Sequence, residues 1–423
     1  MKYSVITFGC RVNQADSFEF DEGLRLRGAT EASPSDADLV IVNTCSVTGS
    51  ADQSARRAIR NISRDNPSAR IVVTGCYATR SPADLASLPN VVTLVPNQEK
   101  DGLLRMLDDT FALTTASRFG DGDGACGAEM GPGALGRTAI PLRVQTGCDE
   151  RCAFCIIPST RGHSRSRTLA DVCGEVERIG AAGYKEIWLV GVHLGSYGRD
   201  LQPAASLVDL LRALIRAPGD VTFRISSLEP MDCSRDLVDL VARSGRFAPH
   251  FHLPLQHGSD RMLRAMRRPY TFAFYRDLVS DIAARIPHAS IGSDLVVGFP
   301  GESDQDVDQA ALEIERLPLS YLHVFPYSDR PGTDATEMTP KVAPPDTQRR
   351  ARILRDVGRR AADRFVNAQV GSVRDGLTLE DGSLVLTDNF LKVRIPPGLA
   401  RNTRVRVRIT SPALNGNIVG VRG

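Results

Sequence analysis

Short apolar runs punctuate the first hundred positions of the chain. YSVITFGC (3–10), DLVIVNTC (38–45), RIVVTGC (70–76) and VVTLVP (91–96) have the length and Val/Ile content of buried strands. Helical patterns separate them, at 13–28, in ADQSARRAIRNISR (51–64), and in a shorter stretch before residue 91. Buried strands alternating with helices predict a doubly wound parallel sheet over residues 1–117.

A second series begins at residue 139. Its candidate strands are IPLRVQT (140–146), EIWLVGV (186–192), VTFRISS (221–227), HFHLPLQ (250–256), SIGSDLVVG (290–298) and YLHVFPYS (321–328), with helices fitting between them. Six βα units are too few to close an eight-stranded barrel, so a partial (βα)6 barrel is expected over 139–343. An Arg-rich helix follows at 344–368, and then short alternating strands and turns at 369–423 predict a small all-β barrel. The stretch 118–138 is Gly-rich with little apolar pattern and reads as a linker. The fold class is therefore α/β, with a small all-β module at the end.

At 423 residues the chain is long enough for two or three domains, and 42% apolar residues supply sizeable cores. The formal charge of +2 means that any affinity for nucleic acid must come from local patches. No window approaches the roughly 18 apolar residues of a membrane span. MKYSVITFGC lacks a signal peptide's apolar run and cleavage site, so a cytoplasmic protein is expected. Structural disulfides are rare there, so the nine cysteines point to metal binding, catalysis or packing.

Six of the nine fall into two trios. Cys148, Cys152 and Cys155 form C-x3-C-x2-C just after a predicted strand, where active-site groups of βα barrels collect. One short loop can turn the three thiolates toward a common centre. Structural zinc wants four ligands, and only His163 stands near as a fourth. A cubane iron–sulfur cluster takes thiolates at its corners, and a corner without a protein ligand can bind a small molecule at iron. Cys10, Cys45 and Cys76 each end a predicted parallel strand. In an open α/β sheet that places three thiols along the ligand-binding edge. The plainer reading is that each is a small buried hydrophobe. Cys126, Cys173 and Cys233 share no spacing and receive no role.

C-x3-C-x2-C with the aromatic Phe154 before its last cysteine resembles the radical S-adenosylmethionine (SAM) signature. A strand-end tricysteine domain, a SAM-cluster barrel and a TRAM-like tail, in that order, resemble the methylthiotransferases. Supporting motifs are GCRVNQADS (9–17), IVNTCSVT (41–48), HLPLQHGSDRMLRAMRR (252–268), DLVVGFPGES (294–303) and HVFPYSDRPGT (323–333). Within that family FGCRVNQ is most similar to the branch acting on N6-threonylcarbamoyladenosine (t6A) in tRNA. Other branches act on N6-isopentenyladenosine or on a ribosomal-protein aspartate, and a non-catalytic iron–sulfur RNA-binding protein is a further alternative.

The resemblance implies two 4Fe–4S clusters and SAM. The cluster on Cys148, Cys152 and Cys155 would generate the radical from SAM. The cluster on Cys10, Cys45 and Cys76 would hold the sulfur, and the methylthio group would join C2 of the adenosine at position 37, in the anticodon stem-loop. An electron donor and a sulfur donor are implied partners. SAM would lie across the strand ends, with Ser226, Ser227, Glu229, Gln256 and the backbone of Val297 and Gly298 as candidate contacts and His193 and Tyr327 also at strand ends. Arg161, Arg165 and Arg167, directly after the cluster loop, are candidates for tRNA phosphates or for the substrate's threonyl carboxylate. In the tail, RNTRVRVRI places Arg404, Arg406 and Arg408 on one strand face as a candidate RNA grip.

Overall fold

The computed structural model describes residues 1–111, 132, 138–412 and 418–422. Apart from residues 132 and 138, the expected linker lies outside the described residues, and so does Cys126. Among the described residues no helix is long and apolar enough to cross a membrane.

Five parallel strands build the first domain: β1 (Lys2–Thr7), β2 (Thr30–Glu31), β3 (Leu39–Thr44), β4 (Arg70–Gly75) and β5 (Val91–Val95), in the order β2-β1-β3-β4-β5. The two-residue edge strand β2 carries no apolar run and has no counterpart among the predicted strands. Every residue of β3 is buried because both faces are covered. Val40 and Val42 pack with Ile71 and Val73 against Ala55, Ile59 and Ile62 of the helix Gly49–Asp65. Leu39, Ile41 and Val72 face the other way, onto Phe20 and Leu24 of the helix Arg11–Leu26 and Leu103 and Leu107 of Leu103–Phe111. The side-chain period of two thus feeds two helical layers from one sheet.

The central domain starts with β6 (Ile140–Arg143). The expected strand 140–146 breaks there, because Gln145–Thr146 (β7) leaves the sheet to pair antiparallel with Arg165–Ser166 (β8). The series continues with β9 (Glu186–Val190), β10 (Thr222–Ile225), β11 (His250–His252), β12 (Ser290–Val297) and β13 (Tyr321–Pro326). The parallel sheets β6-β9-β10 and β11-β12-β13 are joined by the parallel bridges Phe223–Phe247 and Ser227–His252. Six strands therefore curve into a partial barrel, the architecture expected from the six βα units. Alternation again decides what faces where. Ile187, Leu189, Phe223, Ile225 and Phe251 pack outward into the main core. Trp188, Val190, Ser226, His250, His252, Asp294, Tyr321, His323 and Phe325 instead line an interior cavity of about 820 Å³. Gly292 makes room within it, since a Cβ there would stand 1.9 Å from the Tyr321 ring.

The helix Pro344–Gln369 lays Ala351, Leu354, Val357 and Ala361 into the main core. Then β14 (Val373–Leu379), β15 (Leu384–Thr387), β16 (Lys392–Arg394), β17 (Arg404–Pro412) and β18 (Ile418–Arg422) close a barrel in the order β14-β15-β16-β18-β17. Its core holds Val385, Val393, Val407, Ile409 and Ile418. One loop of this barrel is built into the central domain. Arg224, fully buried, donates to the Asp388 carbonyl at 2.9 Å and the Thr387 carbonyl at 3.2 Å while pairing with Glu186. Phe390 then reaches the cavity, 5.7 Å from Trp188 and 4.4 Å from His250 between ring centres.

Candidate active site

Three neighbouring strands of the first sheet, β1, β3 and β4, end at or just before a cysteine. The parallel register pairs Thr7 with Asn43 and Thr44 with Gly75, which brings Cys10, Cys45 and Cys76 to one edge of the sheet. Cys45 and Cys76 are buried, and Cys10 is exposed, on the wall of the 820 Å³ cavity. Burial pushes the Cys45 thiol up to about 12, and charge on Cys10 and Cys76 pushes in the same direction. Glycine before the cysteine is a requirement here. Gly9 has φ +90°, and a Cβ on it would lie 2.6 Å from Cys45 Sγ.

The second trio follows the same rule. Gly147, φ +74°, precedes Cys148, and a Cβ there would lie 1.8 Å from the His163 carbonyl oxygen. Cys148, Cys152 and Cys155 line a cleft of about 550 Å³. Burial pushes Cys155 up to about 12 and raises Cys152, whose thiol the Arg268 guanidinium opposes by favouring thiolate. Arg268 Nη1 donates to Cys152 Sγ at 2.9 Å, and its Nη2 donates to Glu229. Next to Cys148 stands His193, its Nδ1 3.8 Å from the sulfur and its Nε2 2.7 Å from Asp232. Burial works against protonation of His193. The bond to Asp232 and the proximity of Cys148 outweigh it, lifting the imidazole to about 10.

Donor chemistry distinguishes what the trios can hold. Among the described residues, the one set of three His, Cys or carboxylate ligand atoms gathered within 4.8 Å of one another is His252, Asp294 and His323. The sulfurs of neither trio meet that limit, whereas a tetrahedral zinc with bonds near 2.3 Å needs them about 3.8 Å apart. His163, the possible fourth zinc ligand, is 96% exposed and pairs with Asp149 at 2.6 Å. Cations lie against both trios: Arg268 on Cys152, and Arg161 close enough to feel Cys76 and Cys10. Wide trios of largely buried sulfur compensated by cations fit an anionic thiolate-bound cluster.

Arg161 corrects one expectation. It is 2% exposed and engaged by protein partners rather than presented on the outer surface to tRNA phosphates, because the helix Ile157–Arg161 turns it inward. Its Nη2 donates to Asn13 and lies 3.2 Å from Asp16, and its Nη1 donates to Thr146 at 3.2 Å. Asp16 also meets Lys100 at 2.8 Å and Arg143 at 3.3 Å. Burial works against ionising Asp16, but Lys100, Arg161 and Arg143 hold its carboxyl well below the usual range. Asn97 adds a second link, donating to the Thr160 carbonyl at 2.9 Å and to Cys76 Sγ at 3.5 Å. This buried network locks the sheet that carries one trio to the helix that follows the other.

The remaining candidates fall on several surfaces. Ser226 and Ser227 line the cavity, and Glu229 is held at the cluster cleft by Arg268. Gln256 is half-buried with φ +70° and bridges to Leu295. In the Val297 and Gly298 backbone, Gly298 N–H is taken by the Glu302 carboxylate at 3.0 Å, and the Val297 carbonyl accepts from Tyr327 N at 2.8 Å. Tyr327 donates to Asp329 at 2.8 Å. Arg165 is exposed and Arg167 half-buried. Arg404, exposed on β17, also holds the small barrel to the central one through Asp220 and the Lys185 carbonyl. Arg406 and Arg408 keep the outward face of that strand.

Sequence reasoning missed Arg268, the His193–Asp232 pair, Asp16 with Lys100, and the cluster His252–Asp294–His323. In that cluster His252 Nε2 and His323 Nδ1 each lie 3.1 Å from an Asp294 oxygen. Burial disfavours ionisation of Asp294, but the two imidazole bonds hold it down to about 2. The signal was present in the strand period: positions 250, 252, 294, 321 and 323 are all inward.

Known proteins resemble the chain in the same order of parts. A profile described as "Uncharacterized protein family UPF0004" matches residues 2–96, and "Radical SAM superfamily" matches residues 142–314. The Threonylcarbamoyladenosine tRNA methylthiotransferase MtaB of Aquifex aeolicus is 36% identical over 402 residues, covering 93% of this chain and 96% of that protein. The protein of the same name from Bacillus subtilis is 33% identical, covering 92% and 88%. The tRNA-2-methylthio-N(6)-dimethylallyladenosine synthase of Prosthecochloris aestuarii is 32% identical, covering 89% and 86%. In fold the chain resembles the radical SAM methyltransferase TsrM of Kitasatospora setae, with TM-score 0.56, 15% identity, and 79% and 76% of the two chains covered.

Proposed function

This chain belongs to the radical SAM tRNA methylthiotransferases, and on that premise we propose that it converts t6A at tRNA position 37 to its 2-methylthio derivative, using one iron–sulfur cluster on each cysteine trio. The observation that carries the two-cluster reading is the buried Arg161–Asp16 lock. It joins a strand-edge trio in one domain to a loop trio in another and opens Cys10 onto the barrel cavity.

When bound, the cluster on Cys148, Cys152 and Cys155 supplies the electron that cleaves SAM, and the cluster on Cys10, Cys45 and Cys76 carries the sulfur to be transferred. The chain's own residues prepare both places. Arg268 donates to Cys152 and neutralises Glu229, keeping positive charge beside anionic sulfur in a poorly solvated cleft. His193, held protonated near neutral pH by Asp232, does the same beside Cys148. Ser226 and Ser227 present hydroxyls to the cavity, where SAM's ribose and methionine groups need donors and acceptors. Phe325 and Phe390 supply apolar walls for an adenine taken out of its stack. Outside, Arg165, Arg406 and Arg408 meet tRNA phosphates, contacts that steer without choosing a base.

Mass spectrometry of hydrolysed tRNA from a strain lacking the gene tests the substrate. The 2-methylthio form of t6A is expected to vanish and to return with the wild-type gene but not with a Cys152→Ala copy. Loss of the 2-methylthio isopentenyl nucleoside instead overturns the proposal.

A further inference from the structure

The small barrel reaches into the cavity at one point. Phe390 lies in the hairpin loop between β15 and β16, and its ring stands 4.4 Å from His250, 5.7 Å from Trp188 and 5.8 Å from Tyr321 between centres. His250 and Tyr321 are the first residues of β11 and β13. The ring therefore closes the end of the partial barrel opposite the strand ends from which Ser226, Ser227 and the cluster loop extend. It is half-buried and lines the cavity.

The backbone of this residue is strained. Phe390 takes φ +70°, a left-handed conformation that bulky residues rarely adopt and that persists only where the surroundings impose it. Here they do. Arg224 donates to the Thr387 and Asp388 carbonyls. Asn389, fully buried, donates to the His288 carbonyl at 3.1 Å and to Gln369 Oε1 at 2.9 Å. Leu391 N–H donates to Thr387 Oγ1 at 2.9 Å, and Arg374 pairs with Asp388. A glycine or an asparagine would take the same turn without that strain, so what the loop secures is the ring itself. A ring needed only to join the two barrels would be buried on every side, whereas this one borders open volume.

Taking the proposed reaction as given, we propose that the small barrel completes the active site, with Phe390 as the floor on which the base of nucleotide 37 comes to rest. The barrel then touches one RNA twice. Arg406 and Arg408, exposed on its outer face, meet phosphates, and Phe390 meets the base inside. The loop sets how far the base enters, and that depth decides whether its C2 stands opposite the reacting groups at the strand ends.

The test uses the reconstituted full-length enzyme and two anticodon stem-loops, one bearing t6A at position 37 and one with no base there. Filter-binding Kd over a salt series, 2-methylthio product and 5′-deoxyadenosine are all read. Wild type is expected to bind the t6A stem-loop about fivefold to a hundredfold more tightly, the range for an aromatic side chain against a base. Phe390→Ala is expected to lose most of that preference and to release more 5′-deoxyadenosine per methylthio product. Its salt slope should match wild type, because no charge is removed. Arg406→Gln with Arg408→Gln is expected to weaken both stem-loops alike and to keep the preference. Phe390→Leu, which retains apolar bulk, is expected to fall between wild type and alanine, and it decides the matter if the alanine variant melts early. A variant that melts like wild type and keeps both the preference and the product ratio overturns the inference, and so does equal weakening of the two stem-loops. If wild type forms no methylthio product on the t6A stem-loop, the substrate assignment fails and this inference with it. If wild type forms product and the Phe390 variants match it, only the floor fails.

Discussion

Replacing Asp16 by Asn tests the lock between the two cysteine-bearing domains. Asp16 is 1% exposed and meets three cations, Lys100 at 2.8 Å, Arg161 at 3.2 Å and Arg143 at 3.3 Å. The Arg143 contact is an ion pair without hydrogen-bond alignment, as Asp16 Oδ1 has no hydrogen-bond partner. An amide leaves the shape but strands the charges. Lys100, whose pKa burial already lowers, can shed its proton, but Arg161 cannot. Breaking a buried pair by removing one partner costs about 3–5 kcal/mol, so the first thermal transition is expected to fall by roughly 10 °C or more. The pH dependence has a definite sign. The folded pKa of Asp16 lies below its unfolded value of about 3.9, so its contribution is complete above about pH 4 and is lost as pH falls through the folded value. Asp16→Asn should lose that acid-side slope. Calorimetry from about pH 7 down to about pH 2, through the range below about pH 4 where the slope operates, measures both effects. A variant within about 1 kcal/mol of wild type, with the same acid limb, refutes the lock.

Two other changes address the cluster loop and the tail. Gly147→Ala puts a Cβ 1.8 Å from the His163 carbonyl in a left-handed backbone position, a cost of roughly 2 kcal/mol or more. Iron bound by the 148–155 loop, followed by its paramagnetic resonance signal after reduction, is expected to fall while the other trio keeps its iron; an undiminished signal contradicts the tight-turn reasoning. For RNA, Arg406→Gln with Arg408→Gln is expected to weaken tRNA binding and flatten the slope of log K against log salt by about 1.5. An unchanged slope removes those two residues from the interface. Point substitutions are cleaner here than deleting the tail, because Arg224 and Phe390 tie the small barrel into the cavity.

Much of the fold was legible because parallel strands buried on two faces read as unbroken Val and Ile runs. DLVIVNT is the clearest case, and it became the fully buried β3. The ends of the strands were less legible. HFHLPLQ reads as one strand through 256, yet regular pairing stops at His252 because Pro254 cannot donate to a ladder and Gln256 takes φ +70°. The cysteine trios were visible as a pattern, since FGC, NTC and TGC close three runs in succession. Arg161 was misread because an arginine in TRGHSRSR looks solvated from local sequence alone. Its partners Asn13 and Asp16 lie some 145 residues away and meet it only once the domains dock. The inward cluster His252–Asp294–His323 was hidden for a similar reason: each member sits on a different strand.

Iron and acid-labile sulfide, counted on anaerobically reconstituted wild type and on two triple variants, decide whether the protein has two cluster sites. Wild type should hold about eight irons, and either Cys10/Cys45/Cys76→Ala or Cys148/Cys152/Cys155→Ala should hold about four. A wild type that binds about four irons, all of them lost with the loop trio and none with the strand-edge trio, contradicts the second site and with it the proposed place of the transferred sulfur.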